Sequence, residues 1–236
     1  MSDAGTPSAN EGKALTVEAE GVRYMRIPIR TRVVMPGDEL DPFVLEYAAS
    51  LVQPGDLLFV TEKIVAITQG RSYLVEEIRP RRLALFLSKY VTRTPHGIGL
   101  GMPETMEMAL RECGTPRILF AAAVSAVTKA FGRKGDFYRI AGDKARAIDG
   151  PTSGTIPPYN KAVVLGPERP TEVARHLQGL LPAGVEVAVV DINDLGGNIL
   201  GSTLDKAGEK RLVAILKDNP LGQGHQSTPL GIVRKA

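Results

Sequence analysis

Three oxygen-bearing side chains, Asp191, Asn193 and Asp194, close an apolar run within VEVAVVDINDLGGN at 185–198, and the glycine pair Gly196-Gly197 follows them. Carboxylate and amide oxygens are what hard divalent cations take, and glycines let a phosphate approach the backbone. The apolar run reads as a buried strand that delivers these side chains to the mouth of a cleft. A turn that Asp191 and Asp194 merely solvate is the plainer reading of the same residues. A second acidic loop, AGDKARAIDGPTSGTIPPY at 141–159, holds Asp143 and Asp149 and precedes another apolar run at 161–166. Two separated loops can offer carboxylates to one ion, and carboxylates that share a site repel one another until a cation neutralises them. The expected metal pair is therefore Asp149 with Asp194, with Asp191 and Asn193 as further ligands or as partners behind the ligands.

A third stretch could meet a nucleotide. The run 57–61 reads as a short buried strand, Thr61 as the cap of a helix over 62–69, and Gly70-Arg71 as its end. Further along, 94–101 is glycine-rich but matches neither a phosphate loop nor a dinucleotide fingerprint, so it reads as a flexible loop able to contact substrate. The polar segment 218–231 carries Gln223, His225 and Gln226, whose amide and imidazole groups could read a base. Cys113, beside Met106, Met108 and Leu110, reads as core filler rather than a nucleophile, and as the sole cysteine it excludes an intrachain disulfide. His176 reads as a surface or partly packed residue of a helix.

Several elements must position these groups. Strand character runs over 22–35, and a helix over 41–52 is expected with Asp41 as N-cap and Pro42 at its first turn. An amphipathic helix is expected over 79–91, a Met-rich one over 103–113, a small-residue, buried one over 118–131, and further helices over 170–181 and 209–217. The fold class that follows is α/β or α+β, a two-lobed mixed-sheet architecture with the acidic metal-binding loops between the lobes. Residues 1–14, polar and without an apolar core, read as a disordered tail with no signal peptide, and 15–236 as a single domain, of one body or two lobes.

Bulk composition excludes several classes. With 43% hydrophobic and 23% charged residues among 236, the chain is an ordinary globular one. The longest apolar stretch falls far short of the roughly 20 residues a bilayer demands, so a membrane partner is not expected and the cytoplasm is. Net charge is only +3 and aromatics are 5% without tryptophan, which argues against a nucleic-acid partner.

With both acidic loops and the segment 56–71 in view, the chain resembles the glutamate ligase family of deazaflavin coenzyme F420 biosynthesis. The likeness spans roughly 22–205 and rests on DLLFVTEKIVAITQGR at 56–71, the AID loop around Asp149 followed by KAVVLGPERP, and AVVDINDLGG at 188–197. The resemblance implies addition of L-glutamate to a small-molecule acid through a gamma-glutamyl bond, with GTP (or ATP) as co-substrate, Mg or Mn as cofactor, and a homodimer. It places nucleotide contact on Glu62, Lys63, Arg71 and Thr152, and the divalent metal on Asp149 and Asp194. Departures mark a divergent branch. Ile67 stands where the family usually carries a lysine, Asn193-Asp194-Leu195-Gly196-Gly197-Asn198 replaces a Ser-Asp-Thr-Phe-Gly-Arg run, and Thr152 stands where an asparagine is expected.

Such parts would support amide formation through an acyl phosphate, in which no nucleophilic side chain is needed. A regulatory module that binds metal and nucleotide, and a metal-dependent phosphate-ester hydrolase, remain alternatives at this stage.

Overall fold

The computed structural model describes residues 7–91, 99–133, 135–193, 196–222 and 226–236. They group into two compact units, one formed by 1–70 with 167–236 and the other by 71–166.

The first unit is built on a six-stranded mixed sheet in the order β1-β2-β8-β3-β6-β7. Its strands are β1 (Thr16–Ala19), β2 (Val22–Ile29), β3 (Leu57–Thr61), β6 (Glu186–Asn193), β7 (Gly196–Ser202) and β8 (Leu230–Lys235). Only β3 and β6 run parallel; every other pair is antiparallel. The two parallel strands are the apolar runs of the sequence, with Leu58, Phe59, Val60, Val187, Ala188, Val189 and Val190 all fully buried. Continuous apolar runs are what a strand covered on both faces needs. On one face Phe59, Ala188, Val190 and Val233 pack with Leu212, Ile215 and Leu216 of α9 (Lys206–Leu216). Each of these side chains larger than alanine contributes about 1.5–3 kcal/mol through burial. Helices α1 (Leu40–Ala48), α2 (Glu62–Thr68) and α8 (Pro170–Leu180) complete the unit.

The C-terminal strand β8 lies between β2 and β3, where Leu230 pairs with both Ile29 and Val60. The expected polar loop thus ends at Pro229 and gives way to a central strand. Gly231 is required there, because a Cβ would run into the ring of Phe59. At the sheet edge, β6 does not stop at an open loop. It continues through Asp191 to Asn193 and returns as β7, pairing Asp191 with Asn198 and Asn193 with Gly196.

The second unit holds β4 (Ser72–Leu74), β5 (Ala162–Val164), α3 (Arg82–Leu87), α4 (Pro103–Glu112), α5 (Thr115–Ala130), α6 (Asp136–Ala141) and α7 (Asp143–Arg146). Its core joins Met106, Met108, Leu110, Ile118, Ile148 and Val163, with Cys113 packed against it as expected of filler. Burial pushes the Cys113 thiol up, away from nucleophilic use.

Several boundaries differ from expectation. Helix α1 starts at Leu40, so Asp41 is a first-turn residue; it bonds His176 Nε2 across 2.7 Å instead of capping. Thr61 precedes α2 without a side-chain capping bond. Helix α3 begins only at Arg82, two residues after Pro80, which cannot continue a helix from Arg79. Helix α5 is not buried: only Ile118 and Ala121 are, whereas Phe120 is 62% exposed, Val127 60% and the following Phe131 81%. Glu107 in α4 is a buried carboxylate held by Arg81 and Arg111. Asn10 Nδ2 donates to Leu221 O at 2.8 Å and Lys13 Nζ to Asp218 O at 2.7 Å. Among the described residues no helix is long and apolar enough to cross a membrane.

Candidate functional site

One row of paired residues crosses the first unit: Ile29 beside Leu230, Leu230 beside Val60, Val60 beside Val189. Because β2, β3 and β6 run in the same direction along this row, the residues that leave them gather at one end of the sheet. Arg30 and Thr31 follow β2, Thr61 passes into Glu62 and Lys63 of α2, and Val190 passes into Asp191. The chain entering β8 is tied to the same end, with Thr31 N donating to Ser227 O at 2.9 Å and Thr61 N to Pro229 O at 3.0 Å. Ligands of α/β sheets bind beyond the carboxyl ends of parallel strands, where a helix N-terminus also favours negative charge.

Sequence reasoning placed Glu62, Lys63, Asp191 and Asn193 among site residues, and the structure brings all four to this end of one sheet. Glu62 and Lys63 are half-buried in the first turn of α2, and Thr61 is in register with Val190, one residue before Asp191. Asp191 and Asn193 are two apart on β6, so their side chains share a face of the strand. Gly196 and Gly197 belong to β7, and Gly196 adopts φ +150°, a conformation that favours glycine. Ile67 is buried at 2% exposure, so the position where the resembling family has lysine is an apolar core position here.

Asp194, Leu195, Gln223 and His225 lie outside the described residues, as does most of the glycine-rich loop 94–101. Gln226 is described and is buried at 7% exposure. Sequence reasoning read 218–231 as a polar loop able to read a base but missed the strand that begins at Leu230, for which the apolar Leu230, Ile232 and Val233 were the available signal.

The other candidates belong to the second unit. Asp149 is half-buried and its backbone is fixed beside β5, its amide donating to Val164 O at 2.8 Å and its carbonyl accepting from Val164 N at 2.9 Å. Thr152 shares a 2.8 Å hydroxyl contact with Thr155 in the turn that follows. Arg71 is largely committed to structure: its Nε donates to Gly166 O at 2.7 Å and its Nη2 pairs with Glu112 at 2.7 Å. Lys144 reaches the same carboxylate at 3.0 Å. Burial alone would push the Glu112 carboxyl up, but the hydrogen bonds from Lys144 and Arg71 outweigh it and hold it below the usual range.

The donor chemistry of Asp191 and Asn193 fits a hard divalent cation, whereas among the described residues no three His, Cys, Asp or Glu side chains gather into a metal-holding group. Charge is also unevenly divided. The second unit carries 15 basic and 8 acidic residues, an excess of 7, and the first carries 14 basic and 18 acidic, a deficit of 4. The modest net charge of +3 conceals this asymmetry.

A strand passing at its carboxyl end into a Glu-Lys helix, beside a parallel strand ending in acidic and amide oxygens, is the part of the chain that a family model also recognises. The model of the F420-0:gamma-glutamyl ligases matches residues 28–203. The chain belongs to that family. The match takes in β3, α2, the whole second unit, α8, β6 and β7, and hence Glu62, Lys63, Asp149, Asp191 and Asp194. It leaves out β1, α9 and β8, although β8 lies within the sheet. No protein with a curated description matches the chain. As a member of this ligase family the protein is an enzyme, with a ligase role in F420 biosynthesis.

Proposed function

We propose that this ligase joins L-glutamate to a small-molecule acid by a nucleotide-driven, divalent-metal-dependent reaction. The observation that carries the reading is the meeting of Glu62 and Lys63 with Asp191 at the carboxyl end of β3 and β6, within the span matched by the family. In the first step an oxygen of the acceptor carboxylate attacks the γ-phosphorus of GTP or ATP, the bond to the β-phosphate oxygen breaks, and the nucleoside diphosphate leaves. In the second the amine of glutamate attacks the acyl carbon, inorganic phosphate leaves with the C–O bonding pair, and the nitrogen loses a proton. Each step needs stabilised negative charge and orientation, and no nucleophilic side chain.

Lys63, at the first turn of α2, offers a cation to the phosphates. Arg71, half of an ion pair with Glu112, contributes mainly by fixing the chain that follows α2. Asp191, Asn193 and Asp194 in the first unit, and Asp149 in the second, are the residues we assign to Mg or Mn, which when bound would neutralise phosphate charge. Thr152 remains assigned to the nucleotide. The positive excess of the second unit suits substrates that are polyanions.

The homodimer implied by the resemblance is proposed with it. Helix α5 presents Leu119, Phe120 and Val127 to the exterior, and Lys129 is the only charged residue between Leu119 and Phe131. An apolar face of that kind suits contact with its counterpart on a second copy.

Release of inorganic phosphate tests the reaction. Phosphate release from GTP or ATP that requires both an acid acceptor and glutamate supports the ligase. Release without amine would replace it with a hydrolase, and nucleotide binding without release would replace it with a regulatory module.

A further inference from the structure

The carboxamide of Asn10 reaches across 210 residues of chain to the segment that enters β8. Its Nδ2 donates to Pro220 O at 3.2 Å, Leu221 O at 2.8 Å and Thr228 Oγ1 at 3.0 Å, so two protons serve three acceptors. Thr228 Oγ1 in turn donates to Leu221 O at 2.6 Å. Beside it Lys13 Nζ donates to Asp218 O at 2.7 Å. The buried guanidinium of Arg26 pairs with the Asp218 carboxylate and donates to Ala14 O at 2.7 Å and Ile215 O at 3.0 Å. The stretch from Asn10 to Ala14 is thereby stitched between β2 and residues 218–221 and 228.

The described stretches 218–222 and 226–228 carry backbone conformations that outside partners support. Asn219 and Ser227 hold positive φ angles of 53° and 49°, a region that non-glycine residues adopt reluctantly, and Gly222 holds 69°. Their opposite side is bonded to the strand ends: Ser227 Oγ donates to Thr31 O at 2.9 Å, Thr31 N to Ser227 O at 2.9 Å, and Thr61 N to Pro229 O at 3.0 Å. Thr61 is the residue immediately before Glu62 and Lys63. A continuous series of bonds therefore runs from Asn10 through Leu221 and Thr228 to Pro229 and the start of α2, all inside one unit.

We propose that Asn10 is a positioning residue for nucleotide binding: it holds 220–221 and 228–229 in the conformation whose Pro229 carbonyl fixes Thr61, and through it the first turn of α2. The nucleotide part rests on the assignment of Lys63 to phosphate contact made above. Both Asn10 and 218–229 lie outside residues 28–203, so this device lies beyond the match to the family.

The test uses the full chain, its Asn10→Asp variant, which keeps the shape but loses the donors, and Asn10→Gln, which keeps them. Amide hydrogen exchange is read at Thr31 and Thr61, and at Gly55, whose amide bonds Gly184 O at the opposite end of β3. Asn10→Asp should speed exchange at Thr31 and Thr61 by about tenfold, the factor that loss of a net hydrogen bond allows, with Gly55 unchanged and Asn10→Gln close to the parent. The same variant should raise the Kd for GTP and its KM several-fold while kcat is held. Equal acceleration at Gly55, which marks a purely structural role, would overturn the inference. So would an unchanged Thr61, or an unchanged GTP Kd in a parent that binds GTP. A parent that binds neither GTP nor ATP overturns the nucleotide assignment itself, and the positioning role falls with it.

Discussion

The amide of Thr61 donates to the carbonyl of Pro229 across 3.0 Å, joining the strand that leads into Glu62 and Lys63 to the chain that enters β8. Residues 168 positions apart thus meet at one sheet end. The cation at that end yields the first prediction. Lys63→Ala should weaken GTP or ATP binding by about 1.5 kcal/mol or more, the net value of a hydrogen bond to a charged group, which is at least about tenfold in Kd. Stabilisation by metal alone should be retained. Calorimetric titration with Mn²⁺ present measures both, and an unchanged Kd removes Lys63 from the phosphate site.

Metal binding is expected to appear as stability. Mn²⁺ or Mg²⁺ at about 100 times its dissociation constant should stabilise the fold by roughly 2.7 kcal/mol through linkage. Asp149→Asn and Asp194→Asn should each lose most of that gain, and Asp191→Asn part of it. Thermal melting with and without the ion decides the matter, and variants that respond as the parent does would show that these aspartates only shape turns.

Glu112 gives a prediction about pH. Its carboxylate, 12% exposed between Arg71 and Lys144, is held below the usual carboxylate range because hydrogen bonds from Lys144 and Arg71 overcome the opposing effect of burial. Glu107 is held low in the same sense, with burial opposed by the Arg81 amide and the Arg81 and Arg111 side chains. A depressed folded-state value means that the stabilisation is complete above the unfolded carboxyl value and is lost as pH falls through the folded one. Glu112→Gln should cost about 1.5–3 kcal/mol at neutral pH and flatten the acid limb of the stability profile. Denaturant titrations from pH 7 downward read both effects, and a parallel acid limb in the variant would contradict this account.

Two glycines should respond with opposite sign. At Gly201 of β7 a Cβ would enter the backbone of Pro170 and Thr171 at the start of α8, and backbone cannot swing aside. Gly201→Ala should therefore cost at least about 1–3 kcal/mol, as overpacking does. Gly179, inside α8, has open space where a Cβ would go, so Gly179→Ala should add about 0.4–1 kcal/mol. Melting of the two variants side by side checks the contrast.

The sequence by itself determined the elements whose signal is local. The runs at 57–61 and 185–190 announced β3 and β6 because strands covered on both faces need uninterrupted apolar side chains. The prolines at 103 and 170 marked the starts of α4 and α8, where a missing N–H costs nothing, whereas α5 was expected only from 118 and begins at Thr115. Asp191 was singled out because it stands where an apolar run turns polar, whereas Glu62 and Lys63 were named only through the resemblance to the family. Tertiary structure decided what depends on partners distant in the chain. That Asp191 and Asn193 lie within a hairpin follows from their pairing with 196–198, and that Leu230–Lys235 is an interior strand follows from its seat between β2 and β3. A sequence window shows how apolar α5 is, but not that its Phe120 and Val127 face outward. Nor does it show that Asn10 finds its acceptors at 220, 221 and 228. Periodicity reports how much of a segment must be buried, whereas the partner that buries it or bonds it is fixed only when the whole chain has folded.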